Sequence, residues 1–165
     1  MFDISKDQLR SLNDSDLREL VARLCEAELG LAGIPSSAVK WGGAQTAADG
    51  GLDVDCQIRK QSFAGNFVPR ARTGIQVKKS TMRVSEITKE MTPKGTLRPI
   101  FWELATDKGC YIIVSLDDDP TDNNRQKERT KHMRKQVCEI PDNDNPQLEF
   151  YGRGRLATRL HSESA

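Results

Sequence analysis

The run Tyr111-Ile112-Ile113-Val114-Ser115-Leu116 restricts the fold more than any other stretch of this chain. It is the most apolar strand candidate, and it shows no alternation, so neither of its faces suits water. Such a strand belongs in the middle of a sheet, buried on both sides. At 165 residues the chain is long enough to build a core around it and has the size of one ordinary domain, taken as residues 1–165.

Periodicity places the other elements. Leu17, Leu20, Val21 and Leu24 recur at helical spacing behind the cap candidates Asn13, Asp14 and Ser15, predicting an amphipathic helix over residues 15–29. Residues 38–41 predict a short strand, and the Gly- and Ala-rich residues 42–51 a loop. Residues 52–58 and 73–79 alternate apolar and polar side chains, the period of a strand with two unlike faces. Between them, residues 59–72 carry Gly, Asn, Pro and basic side chains, so a hairpin with a long basic tip is expected. Helices are expected over 84–91 and 97–108, separated by Pro93-Lys94-Gly95. An Asp-rich turn at 117–124 leads to a basic helix over 125–136, then a strand over 147–151 and a terminal helix from Arg153. The order is helix, three strands, helices, strand, helix, strand, helix.

The net charge of +1 does not advertise a polyanion partner, yet Lys and Arg are dense at 59–83 and 125–135. The 4 cysteines lie far apart, form no CxxC pair and fall in apolar segments where a buried thiol fits. A reduced, cytoplasmic protein is expected. No apolar leader and no run approaching roughly 20 apolar residues is visible, so no membrane association is expected. The 2 lone histidines and unpaired cysteines make a poor zinc site, and His132 reads as a surface or packing residue.

The informative feature is the pair of segments Gly50-Gly51-Leu52-Asp53 and Ile75-Gln76-Val77-Lys78. Alternation aims Gln76 and Lys78 at one side of their strand, and hairpin pairing brings Asp53 across from them. One carboxylate, one amide oxygen and one ammonium then converge, the set that phosphodiester hydrolysis needs. A hard cation such as Mg²⁺ takes oxygen ligands and keeps several waters. Asp53 would anchor it, with Gln76 and the Val77 carbonyl as further donors, while Lys78 would orient the attacking water or stabilise charge on the phosphorane.

At these residues the chain resembles the PD-(D/E)xK nucleases, within them the Mrr-like branch that carries QxK in place of ExK. The stretches WGGAQTAADGGLDVD, GIQVKKS, KEMTPKGTLRPI, GCYIIVS and FYGRGRLAT bring it closer to the nuclease modules at the N-terminus of bacterial anti-phage proteins. The resemblance implies an α/β restriction-endonuclease-like core with a central mixed sheet flanked by helices. It implies an endonuclease acting on double-stranded DNA with Mg²⁺, for which Mn²⁺ substitutes, and catalytic positions at Asp53, Gln76 and Lys78. It further implies a C-terminal NTPase and sensor region in the full-length protein, and a homo-oligomer as the active form. Neutral Gln76 leaves fewer negative charges than a two-metal site wants, so one metal is expected. The alternative readings are a catalytically inactive nucleic-acid-binding or assembly module, and an RNA nuclease.

Many such nucleases add a glutamate from the first helix, and Glu28 falls on the inward stripe, so it is the candidate third carboxylate; a helix-end Glu reaching solvent or an arginine is the plainer reading. Asp55 shares the face of Asp53 and reads either as a second ligand or as a partner for Lys78 or Arg59. Asp49 reads as shaping the loop. For binding, Gln45, Thr46, the hairpin-tip residues Lys60, Arg70 and Arg72, and Lys79 are expected to flank the phosphate path. The helix over 125–135 reads as an exposed face before it reads as a DNA clamp.

Overall fold

The computed structural model describes residues 5–42, 51–118 and 123–164. Two helices open the chain. The short α1, Lys6–Arg10, is unannounced by apolar periodicity but carries a capping box between Ser5 and Gln8. In α2, Asp14–Leu31, Asn13 caps the start by accepting from the Asp16 amide at 2.7 Å. This helix runs through Gly30 and closes at Gly33, whose φ of +75° suits glycine.

Five strands follow: β1 (Val39–Trp41), β2 (Val54–Gln57), β3 (Arg72–Lys78), β4 (Cys110–Ser115) and β5 (Gln147–Gly152). They lie in the order β1-β2-β3-β4-β5. The first three are antiparallel neighbours, with Val54 opposite Ile75 and Gln57 opposite Arg72. β3, β4 and β5 run parallel, with Lys78 in register with Ser115 and Ser115 with Gly152. Parallel neighbours need long crossovers. Helices α3 (Val84–Met91) and α4 (Pro99–Thr106) supply the first and α5 (Asn123–Gln136) the second, while α6 (Arg153–Ser164) ends the chain. The protein is thus a mixed α/β domain, a mixed five-stranded sheet flanked by helices.

β4 has all six residues buried, as its composition demands, and its alternation splits the core in two. Ile112 and Val114 join Leu17, Val21 and Leu24 of α2 and Leu156 of α6 on one face. Tyr111 and Ile113 join Ile87 of α3, Leu104 of α4 and Met133 of α5 on the other. His132 is a packing residue between α5 and α3, its ring nitrogen 2.7 Å from the Thr88 hydroxyl. Burial, then the charge of Lys135, lowers its pKa. Cys25, Cys56 and Cys110 are buried; Cys138, expected in an apolar segment, is exposed because it lies beyond the inward positions Met133 and Val137. Among the described residues no helix is long and apolar enough to cross a membrane.

The hairpin connection is not a free basic tip. Phe67 and Val68 are buried against α2, and Glu28 holds them there. Its carboxylate accepts from the amides of Asn66 (3.0 Å), Phe67 (3.0 Å) and Val68 (2.6 Å) and pairs with Arg159 of α6 at 3.3 Å. Gly65 makes room, since a Cβ there would lie 2.7 Å from the Glu28 oxygen. The expectation that Glu28 completes a metal site is therefore corrected. Three backbone donors and a guanidinium occupy its oxygens, and it ties α2, the hairpin connection and α6 together. Glu28→Ala should lower the unfolding free energy by about 3–5 kcal/mol, because buried amides and a cation lose their partner. Urea denaturation checks this, and a loss below about 1 kcal/mol would contradict the assignment.

Candidate functional site

The site forms where β2 begins and β3 ends. The β2–β3 ladder stops at Val54 opposite Ile75, with one more bond from the Asp53 amide to the Ile75 carbonyl at 2.9 Å. Val77 lies past that point, so its amide has no β2 partner and donates to Asp53 Oδ2 at 2.8 Å. Within a strand one residue's N–H and C=O face the same neighbour, so the Val77 carbonyl is turned toward Asp53 as well. Asp53 is thereby fixed beside the backbone that joins Gln76 to Lys78.

These side chains sit in unlike surroundings. Gln76 is 5% exposed, and its Oε1 accepts no hydrogen bond among the described residues. A buried oxygen in that condition carries a desolvation cost and suits a ligand. Lys78 keeps 38% of its side chain exposed, and its Nζ lies 3.4 Å from Glu90 Oε2. Asp53 forms an ion pair with Arg18 of α2, Nε to Oδ1 at 3.1 Å. Burial raises the Asp53 pKa; the Val77 amide, Arg18 and Lys78 oppose the shift, Glu90 adds to it, and the net direction is upward. Tyr111 lies beneath, 2% exposed, its phenol pushed up by burial and by the Glu90 charge, so it stays neutral.

Three participants escaped the sequence reading: Arg18, Glu90 and Arg98. Glu90 bridges Lys78 and Arg98, whose Nη2 lies 3.7 Å from its other oxygen. Arg98 Nε also donates to the Glu90 carbonyl at 2.6 Å. The same guanidinium packs on Gly51, where an added Cβ would fall 3.0 Å from its carbon, at a φ of +78°. A chain of contacts thus runs from the Gly51 turn through Arg98 and Glu90 to Lys78, holding the two halves of the site in one frame. Glu90 was visible in part, since it stands three residues after Ile87 and next to Met91, the residues that α3 buries.

Other expected members are dispersed. Arg72 pairs with Asp55 at 3.0 Å and lies 3.7 Å from Asp107 and 3.8 Å from Glu103, so it is neutralised by acids. Asp55 is likewise taken, by Arg72 and not by Lys78 or Arg59. Arg70 donates to the Gln147 side chain at 2.8 Å, and Lys60 is exposed on the same connection. That connection joins the far ends of β2 and β3. At about 3.3 Å per residue, Arg70 lies roughly 26 Å along the strand from Lys78. Lys60, Arg70 and Arg72 therefore do not flank the site, a correction to the expected phosphate path. Lys79 does lie at the site edge, its amide donating to Asp14 at 2.9 Å. Gln45, Thr46 and Asp49 lie outside the described residues.

The donor set fits a single hard cation. Asp53 and Gln76 supply a carboxylate and an amide oxygen without a hydrogen bond among the described residues, the Val77 carbonyl faces the same way, and the charge of Glu90 also reaches Asp53. Among the described residues no three His, Cys, Asp or Glu converge into a group that could hold an ion.

The raised Asp53 pKa gives a signed test. The folded protein binds this proton more readily than the unfolded chain, so the group's contribution is present below about pH 4 and lost as pH rises through the higher folded value. Asp53→Asn is neutral throughout and keeps an acceptor for the Val77 amide. In metal-free buffer, the melting temperature of Asp53→Asn relative to the parent should rise between pH 4 and 7. A falling difference would mean that Arg18 and the amide outweigh burial.

Compared with known protein families, curated proteins and solved structures, the chain has no match in any of the three.

Proposed function

We propose that this chain is a cation-dependent nuclease of the PD-(D/E)xK, restriction-endonuclease-like kind, hydrolysing phosphodiester bonds of double-stranded DNA. The observation that carries the reading is the Asp53 carboxylate bonded to the Val77 amide, between a buried Gln76 oxygen with no partner among the described residues and a half-exposed Lys78. The order of elements supports it too, with an antiparallel β1-β2-β3 meander followed by parallel β4 and β5. When bound, Mg²⁺ or Mn²⁺ would polarise the scissile phosphate and make its water more acidic. Asp53 and Gln76 would hold the cation, and the Val77 amide holds Asp53 in place. Lys78 orients the attacking water and offsets charge on the phosphate as the P–O bond to the water oxygen forms and the bond to the leaving oxygen breaks. The resemblance of stretches such as GIQVKKS and FYGRGRLAT to anti-phage nuclease modules supports a cytoplasmic effector role within a larger protein, where oligomerisation sets two sites on opposite strands.

A second reading is favoured by one contact. Arg18 already neutralises Asp53 at 3.1 Å, as it would in an inactive nucleic-acid-binding module. Incubation with plasmid, linear duplex and RNA, in Mg²⁺ or EDTA and at several protein concentrations, separates the readings. Metal-dependent DNA cutting that falls roughly 100-fold or more in Lys78→Ala is expected. Duplex binding without cutting at any concentration favours the inactive module, and cutting of RNA alone would change the substrate class.

A further inference from the structure

The charge of this protein is concentrated in one helix. α5 holds six of the 25 Lys and Arg residues and only one of the 24 Asp and Glu, so the rest of the chain carries 19 basic residues against 23 acidic. Arg129 is used internally, pairing with Asp118 at 3.1 Å. Arg125, Lys127, Lys131, Arg134 and Lys135 are exposed and make no ion pair among the described residues. Elsewhere Arg18, Arg23, Arg72, Arg98 and Arg159 are all paired with acids. Cations without an acid partner among the described residues also occur singly elsewhere, as at Lys40 and Lys60, but α5 gathers five of them on one helix.

Their placement is ordered. Met133 and Val137 point into the core, so Lys127, Lys131 and Arg134, at i, i+4 and i+7, form one row on the outward side. The row spans about 10 Å of helix axis, the rise of three phosphate-to-phosphate steps on one DNA strand at about 3.4 Å each. Lys127 and Arg134 also border a concavity of about 270 Å³ with Gln126 and Thr130, which add hydrogen-bonding groups between the charges.

The helix also stands next to the site. Arg129 meets Asp118 just beyond the carboxyl end of β4, whose last residue, Ser115, is in register with Lys78. On its inner side α5 packs on α3 through Thr88–His132 and Thr92–Gln136 contacts of 2.7 and 3.1 Å, and α3 carries the Glu90 that holds Lys78. The basic row lies on the face of α5 turned away from α3, on the outer side of the helical layer that backs the candidate site.

We infer that the Lys127, Lys131 and Arg134 row of α5 is a phosphate-backbone-binding surface that holds duplex nucleic acid on the domain, in the role that the hairpin residues Lys60, Arg70 and Arg72 were expected to play. This rests on the nuclease reading for its partner, but not on cleavage itself. Such contacts position a duplex without reading its bases.

The test measures binding of a labelled 20-bp duplex by the full chain carrying Lys78→Ala, with EDTA present, across a salt series. Against that background, the triple variant Lys127→Ala, Lys131→Ala, Arg134→Ala is compared with Arg59→Ala, Lys60→Ala at the far end of the sheet. Each neutralised phosphate contributes about 0.9 to the slope of log K against log salt. The triple variant should lose about 2–3 in slope and bind more than 10-fold more weakly, equally for two unrelated sequences, with a parent-like melting temperature. The far-end pair should match the parent. An unchanged slope in the triple variant, or no duplex binding by the parent at low salt, overturns the inference. Binding through α5 with no cutting by the chain that retains Lys78 sinks the nuclease reading and leaves the surface standing.

Discussion

Val77 reaches past the last residue that β3 pairs with β2, and its amide would be an orphan donor inside the protein if nothing met it. The Asp53 carboxylate does, at 2.8 Å, and much of the site's geometry follows from that bond. An unpaired buried amide costs as much as a lost hydrogen bond, so the strand end recruits the acid and the acid inherits the rigidity of the sheet. Gln76 and Lys78 flank the same amide, which is how a loop residue and two strand residues come to meet at one stretch of backbone. The strand beneath is held in turn by β4, whose burial on both faces leaves its register little freedom.

Charge in the site is arranged in alternation. Arg18 faces Asp53, Lys78 faces Glu90, and Glu90 also faces Arg98. Each partly buried ion has a counter-ion, which lowers the desolvation cost that would otherwise neutralise it. Burial still wins at Asp53, whose pKa moves up despite two nearby cations and an amide donor. Gln76 is the exception to the pairing, as a neutral buried oxygen with no hydrogen-bond partner among the described residues. A cation entering there would gain an acceptor that the protein leaves unused.

Basic groups of this fold differ in what faces them. At the hairpin end, Arg72 lies among Asp55, Glu103 and Asp107, and Arg70 meets Gln147; these serve cohesion. Along α5, by contrast, five exposed cations have no acid partner among the described residues. Counting positive charges along the chain cannot distinguish the two, because the difference lies in which acids face them.

Periodicity and composition alone determined the order of elements, the buried strand at 111–116 and the shared direction of Gln76 and Lys78, because these depend on a side-chain repeat that needs no distant partner. Most element ends fell within about two residues of the observed ones. The short α1 was missed, having too few residues for a period to show. Only the tertiary structure decided what meets what. It gave Glu28 to the hairpin amides, Asp55 to Arg72 and Glu90 to Lys78, and it set the basic connection at the far end of a seven-residue strand from the site. Whether an inward acid binds a cation or caps a turn depends on which donors the folded chain brings within about 3 Å, and those donors lie 12 to 40 residues away in sequence or more, beyond the reach of any local pattern.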